Sequence, residues 1–398
     1  MSQTSVQPIY TQSVFIPPLK SAPRPQTSIY GQKPLLSTQG TDLGQDNHTK
    51  FISFLQTHIY NEQGKAKPSC TLKQYDSKEY YEGQIDMNKQ RNGMGAYYFQ
   101  NGDKYCGAWV ADLPQGPGML VYSTGDRYEG DFMKGQRHGK GKFYYANGNI
   151  YEGDFVQNRK EGKGAYLYKV THEKYEGDWK MGEREGMGTY TYNEGHIYEG
   201  QWSKGKKHGF GKMTFISGKR YEGYWENDKA HGRGSLFDIN GYKYEGEWKD
   251  GFKHGRGIFT FPDGRFEGNF LFDFPVGMGT YTSSTGERYE GEWKKWERSG
   301  KGQYFYATGD KYEGEWVHDQ KHGKGTLYLK NGDEYSGTFV QGAFEGKGTY
   351  KYHNSGFYEG EWKNNMKHGW GRYVWNNGQL LEGIWENNEF VKNQSYAL

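Results

Sequence analysis

A chain of 398 residues with 51 Lys plus Arg and 48 Asp plus Glu carries a formal charge of only +3, which excludes whole-surface electrostatic attraction to nucleic acid. Apolar residues make up 33% while aromatics reach 18% and glycine supplies 61 residues, which excludes a core of clustered Leu and Ile and points to rings lying over glycines. Two cysteines, Cys70 and Cys106, make no disulfide framework and fit a reducing compartment.

No apolar run approaches the roughly 20 residues needed to span a bilayer. The start MSQTSVQPIY lacks the charged and apolar regions of a signal peptide, so a soluble cytoplasmic protein is expected. Residues 1–48 are rich in Pro, Gln, Ser and Thr and bury too little apolar surface to offset the entropy of ordering, so they read as a disordered tail. Val14 to Leu19 and Ile29 to Leu36 are short apolar spots within it, suited to docking. Residues 49–70 hold a short amphipathic helix and linker. Phe51, Phe54, Leu55 and Ile59 share one helical face, with Thr49 as N-cap. This helix either caps the open first edge of the repeat array that begins at residue 71 or binds a partner.

From residue 71 to 390 one unit is written again and again. Its anchor aromatics fall at Tyr81, Tyr105, Tyr128, Tyr151, Tyr175, Tyr198, Tyr221, Tyr244, Phe266, Tyr289, Tyr312, Tyr335 and Tyr358, 22 to 24 residues apart, and Leu381 begins a partial copy. In Tyr312-Glu313-Gly314-Glu315-Trp316 the ring, glycine, ring set takes one face of a strand and the carboxylates the other. A second strand, such as Gly186 to Tyr192, repeats the alternation. A loop of about six residues is expected between the two strands of a copy, and turns such as Asn331-Gly332-Asp333 between copies. With strands about 4.8 Å apart each copy advances the sheet by roughly 10 Å, giving an all-β, elongated, twisted antiparallel ribbon on the order of 130 Å long. Residues 391–398 read as a C-terminal tail.

The pattern YEGEW, a short loop, then HGKGTLYLKNGDEY resembles the MORN (membrane occupation and recognition nexus) repeat, in about 13 hairpin copies over four fifths of the chain. The resemblance implies a β-ribbon scaffold of the kind found in cilia, cytoskeletal collars and membrane junctions, in some relatives appended to a lipid kinase, methyltransferase or exchange-factor domain. The flanks here are too short to hold such a domain, so a non-enzymatic scaffold without cofactor is expected. An axonemal component, with the ciliary radial spoke head as a concrete instance, leads. A membrane-surface scaffold binding anionic phospholipid and a regulatory subunit of an enzyme are the alternatives. Partners are then structural proteins of a cilium or cytoskeleton, with homo-oligomerisation as a further expectation.

The residues themselves argue against catalysis. Gly323-Lys324-Gly325 leads into a strand, with no helix N-terminus to cradle a phosphate. Glu129, Glu152, Glu176, Glu199, Glu222 and Glu245 form a ladder beside Arg127, Lys174 and Arg220, the dressing of a solvated sheet face. His138, His208, His231, His254, His322 and His368 recur one per copy, about 10 Å apart, too far to converge on zinc.

Specificity belongs to the copies that break the pattern. Basic residues after the first strand, among them Lys134, Arg137, Arg159, Lys160, Lys204, Lys206, Lys207, Lys249, Lys253, Lys294, Lys295, Lys363 and Lys367, are expected along one edge, facing acidic protein or lipid. Solubility is the competing explanation for them. Phe252, Phe274 and Trp296 replace polar residues in three consecutive copies, and Leu271, Phe272 and Pro275 add apolar surface. An aromatic stripe for partner docking is expected there, unless the rings fold inward.

Overall fold

The computed structural model describes residues 43–75 and 79–392, so the expectations for the tail before residue 43 and for residues 393–398 lie outside the described residues. The recurring Tyr-Glu-Gly-Glu-Trp segment forms a strand because its alternation matches the pleat. In Lys311–Val317, Tyr312 and Trp316 are buried while Glu313 and Glu315 face water. Gly314 pairs with Gly325 on the next strand, and the Tyr312 ring covers that pair, filling the space a β-carbon would take. Its hydroxyl donates to the Glu315 carbonyl at 3.0 Å. The Trp316 indole N–H donates to the Gly302 carbonyl of the preceding copy at 3.2 Å.

The rings do not lie face on face. Tyr312 meets Trp316 at 5.2 Å and 84°, and Trp316 meets Tyr289 of the preceding copy at 5.3 Å and 82°. An alternating edge-to-face zipper results, the arrangement aromatic quadrupoles favour.

Twenty-nine strands and one helix are present among the described residues. The chain divides into two units, one running through the copies up to Lys229 and the other from Ala230 onward. Within each, consecutive strands pair antiparallel, in line with the all-β expectation.

The expected six-residue loop is not present. Strand Lys311–Val317 passes through only His318 and Asp319 before strand Gln320–Tyr328 begins, and both turn residues have positive φ, 47° and 65°, as in a type I′ hairpin. The alternation fades here because Gly323, with φ 57°, forms a bulge that slips the register between Gly314 and Glu315. The Asn-Gly turns on the opposite edge differ: Gly332 alone is left-handed, with φ 91°, and its N–H donates to the Leu329 carbonyl at 2.9 Å. Side chains stitch the turns of successive copies together. Asp319 accepts from the Arg298 backbone N–H at 2.9 Å on one edge, and Asp310 from the Lys330 N–H at 2.7 Å on the other.

The helix, α1, runs from Leu43 to His58 and so begins before Thr49. Thr49 is interior and its hydroxyl donates to the Gln45 carbonyl at 2.8 Å, which corrects its assignment as N-cap. Nor does α1 close the first edge of the sheet, which is formed by strand Thr71–Gln74. Phe51, Leu55 and Ile59 instead pack on Ala96, Cys106 and Met119, on the face opposite the Tyr/Trp zipper. Cys106 occupies the place that Glu takes after most other anchors, and losing that charge makes the face apolar enough to bury a helix.

Candidate interaction surfaces

Within each unit the hairpin turns gather basic residues along an edge, but the structure sorts these residues into two sets. Lys134, Lys204, Lys206, Lys249, Lys294 and Lys295 are exposed at or beside the turns. Arg137, Lys160, Lys207, Lys253 and Lys367 are drawn inward onto the zipper, correcting their placement on a charged edge. All five stand at the second position after a turn, which the register points toward the rings. Arg184, Arg298 and Lys321 hold the same position in other copies.

Each such cation sits over aromatic faces. Lys160 lies 4.4 Å from the Trp179 ring, Arg184 4.3 Å from Trp202, and Arg298 4.7 Å from Trp316. The negative ring faces attract the charge while burial opposes it. Burial prevails for Lys160, Lys207, Lys321 and Lys367, pulling each ammonium down to about 8. Sequence reasoning took this row for an edge charge. The usable signal was its fixed register before His-Gly or Glu-Gly, which a solvated charge does not require.

The aromatic stripe is likewise divided. Phe252 and Phe272 meet at 5.8 Å and 80°, and Leu271 pairs with Phe274 across the hairpin. Leu271, Phe272 and Phe274 remain 43%, 61% and 39% exposed. Phe272 opens its turn with φ 48°, a conformation unfavourable for a bulky side chain. Trp296 does not join them: its ring turns inward onto Phe259 and Phe261, both at 5.4 Å, and Phe266 at 5.5 Å. The copy anchored at Phe266 has Phe270 in place of Trp and Pro275 in place of the inward cation, and the Trp296 ring packs against that thinner stretch, 6.0 Å from Phe270.

The face opposite the zipper is a charge ladder. Lys174–Glu176, Lys243–Glu245 and Arg288–Glu290 pair at 2.8, 2.7 and 2.9 Å, all partly exposed. No group of three His, Cys, Asp or Glu able to hold a metal ion occurs among the described residues. No helix among them is long and apolar enough to cross a membrane.

Fold and surfaces together define a β-hairpin repeat protein whose regular copies build a platform and whose irregular copies differentiate it. Thirteen consecutive segments, beginning with 81–104 and ending with 358–380, match the MORN repeat, and the chain belongs to the MORN repeat family, a family of repeat scaffolds. No curated protein matches it. Among solved structures it is similar to the E1021V mutant of the TCP10 domain of Danio rerio CPAP, at 13% identity and TM-score 0.30 over 50% of this chain and 92% of that one. The Drosophila melanogaster SAS-4 TCP domain in complex with a proline-rich motif of Ana2 gives 14% identity and TM-score 0.27 over 46% and 99%. Likenesses this low carry no argument about overall architecture or partners.

Proposed function

We propose that this chain is a non-catalytic scaffold that assembles structural proteins of an axoneme or other cytoskeletal structure, the ciliary radial spoke head being the particular setting in view. The observation that carries the reading is the cluster of exposed Leu271, Phe272 and Phe274 at one hairpin turn, with the partly buried Phe252 ring packed against Phe272. Aromatic side chains gathered at one exposed place are what a protein partner's apolar anchor requires. Imaging of the tagged protein after detergent extraction tests the setting: retention on the axoneme supports it, and loss with the membrane overturns it. Charge substitutions at Phe252, Phe272 and Phe274 test the docking role. If such variants stay folded and still capture partners as the parent does, the cluster is not the site.

A second reading rests on the exposed turn lysines. Lys204 and Lys206 stand together at one turn, Lys294 and Lys295 at another, each pair able to face an anionic headgroup. Flotation with vesicles containing an anionic phospholipid at low salt decides it, and failure to float removes the lipid reading.

A further inference from the structure

In several copies the backbone N–H that follows the left-handed bulge glycine is satisfied by a side chain of the strand before it. The Lys163 N–H donates to Asp154 at 3.1 Å, Met187 to Asp178 at 2.8 Å, Phe210 to Gln201 at 2.7 Å and Lys301 to Glu292 at 2.9 Å. Two of these carboxylates also hold a cation from the strand on their other side. Asp154 pairs with the Lys140 ammonium at 2.6 Å, and Asp178 with that of Lys163 at 2.5 Å. Each thus lies between a basic side chain and a bulge N–H, over the bulge glycine. A β-carbon at Gly186 would meet the Asp178 carboxylate at 2.9 Å.

The copy anchored at Phe266 keeps both donors and loses the acid. Arg256, Asn269 and Met278 stand in the places of Lys163, Asp178 and Met187. Asn269 is neutral, and its side chain leaves the bulge bare: a β-carbon at Gly277 would meet no atom within 4 Å. Arg256 is exposed and has no carboxylate partner among the described residues. The register sets this place beside the exposed apolar cluster, because Asn269 faces Val276 and Leu271 faces Phe274 across one pair of strands. Val276 stands where His254 and His322 stand in other copies and is 40% exposed.

We propose that this place binds an aspartate or glutamate side chain of a partner protein, on an extended segment whose apolar anchor two residues away seats on Leu271 and Phe274. The inference rests on the docking reading of the Leu271, Phe272 and Phe274 cluster and names the chemistry of the partner. Side chains two apart on an extended segment project from one face about 7 Å apart, the spacing that separates Asn269 from Leu271 along their strand. The incoming carboxylate accepts from the Met278 N–H and the Arg256 guanidinium, as Asp178 does from Met187 and Lys163. Asn269 adds an amide donor where an aspartate would repel the ligand. A carboxylate is favoured over a lipid phosphate because the chain itself builds this arrangement around carboxylates in other copies.

Selection of random heptapeptides displayed on phage against the full chain tests this. Enriched sequences are expected to carry Asp or Glu two residues from Leu, Ile, Met or Phe. A synthetic peptide of the leading sequence should lose affinity about tenfold or more when its acid is changed to the amide, and by a similar factor on the Arg256→Gln variant. Asn269→Asp, which supplies the carboxylate from within the chain, should weaken binding as much. Both positions are exposed, and thermal melts matching the parent verify that the variants are folded. Enriched peptides without an acid, or acidic ones that bind both variants as they bind the parent, overturn the proposal. If such peptides are still lost on Phe272→Glu, the docking reading stands without it. If no peptide sensitive to Phe272→Glu is enriched, both fail. Flotation with phosphatidylserine vesicles that Arg256→Gln abolishes, without any peptide enriched, assigns the patch to a membrane and also overturns the proposal.

Discussion

The Lys367 ammonium stands 4.9 Å from the centre of the Trp385 indole although the two residues belong to successive copies, so a single charge ties neighbours together through the aromatic zipper. Lys367 is also 5.1 Å from Tyr373 and 5.2 Å from Tyr358. Removing the whole side chain with Lys367→Ala leaves a void among rings and should cost about 2 to 3 kcal/mol, whereas Lys367→Met keeps most of the volume and should cost less than about 1.5 kcal/mol. Urea unfolding of the two variants checks the order.

Stability should peak in alkali. The caged lysines Lys160, Lys207, Lys321 and Lys367 lose their protons near pH 8 when folded but near 10.5 when free. Between those values the unfolded chain binds more protons, so stability rises with pH. Buried anchor hydroxyls such as Tyr312, Tyr335 and Tyr358 shift the other way, because burial raises them above their ordinary 10.0. Above pH 10 the folded chain holds protons that the unfolded chain releases, and stability falls. Urea midpoints between pH 7 and pH 11 should therefore pass through a maximum near pH 10, and a steady decline from pH 8 would refute the caged-lysine account.

At the glycine pairs, Gly325→Val places side-chain atoms where the Tyr312 ring lies and should destabilise by about 2 to 3 kcal/mol. Glu315→Gln, on the opposite face, should change stability by no more than about 0.5 kcal/mol. Thermal melts of the two variants measure the difference, and equal losses would contradict the ring-over-glycine packing.

Trp296 and Phe272 should separate stability from binding. Trp296→Ala removes a ring that packs against Phe259, Phe261 and Phe266 and should cost about 2 to 3 kcal/mol. Phe272→Glu leaves an exposed turn position and should alter the melt by less than about 0.5 kcal/mol while abolishing partner capture.

Seating of α1 depends on Cys106. Restoring the carboxylate of most other copies with Cys106→Glu buries a charge beneath Phe51 and Leu55, so the helix should lift and far-ultraviolet helical signal should fall. In the parent, burial pushes the Cys106 thiol up. Thiol reagents should accordingly modify Cys70 first and reach Cys106 only when the helix is displaced, since the thiolate is the reactive form.

The strands, their alternation and the repeat were legible in the sequence because each copy writes the same local rule: ring, charge, glycine, charge, ring. Two misreadings share one physical cause. The stretch around Gln320, Lys321 and His322 looked like a loop because the left-handed Gly323 bulge interrupts the period of two, and its basic residues therefore looked solvated. Once the bulge is present the strand continues, and Lys321 points onto Tyr312 and Phe339.

Composition and periodicity by themselves determined an antiparallel hairpin array with an aromatic core and a charged opposite face, because strand alternation and turn chemistry are local. Which irregular residues are buried was decided by neighbours distant in sequence. Both stand in hairpin turns, but Trp296, at the second turn position, turns inward onto Phe266 and Phe270, while Phe272, at the first, stays 61% exposed. The place of α1 was decided in the same way: its apolar face was plain, but only the register that brings Ala96, Cys106 and Met119 side by side made a surface able to bury it.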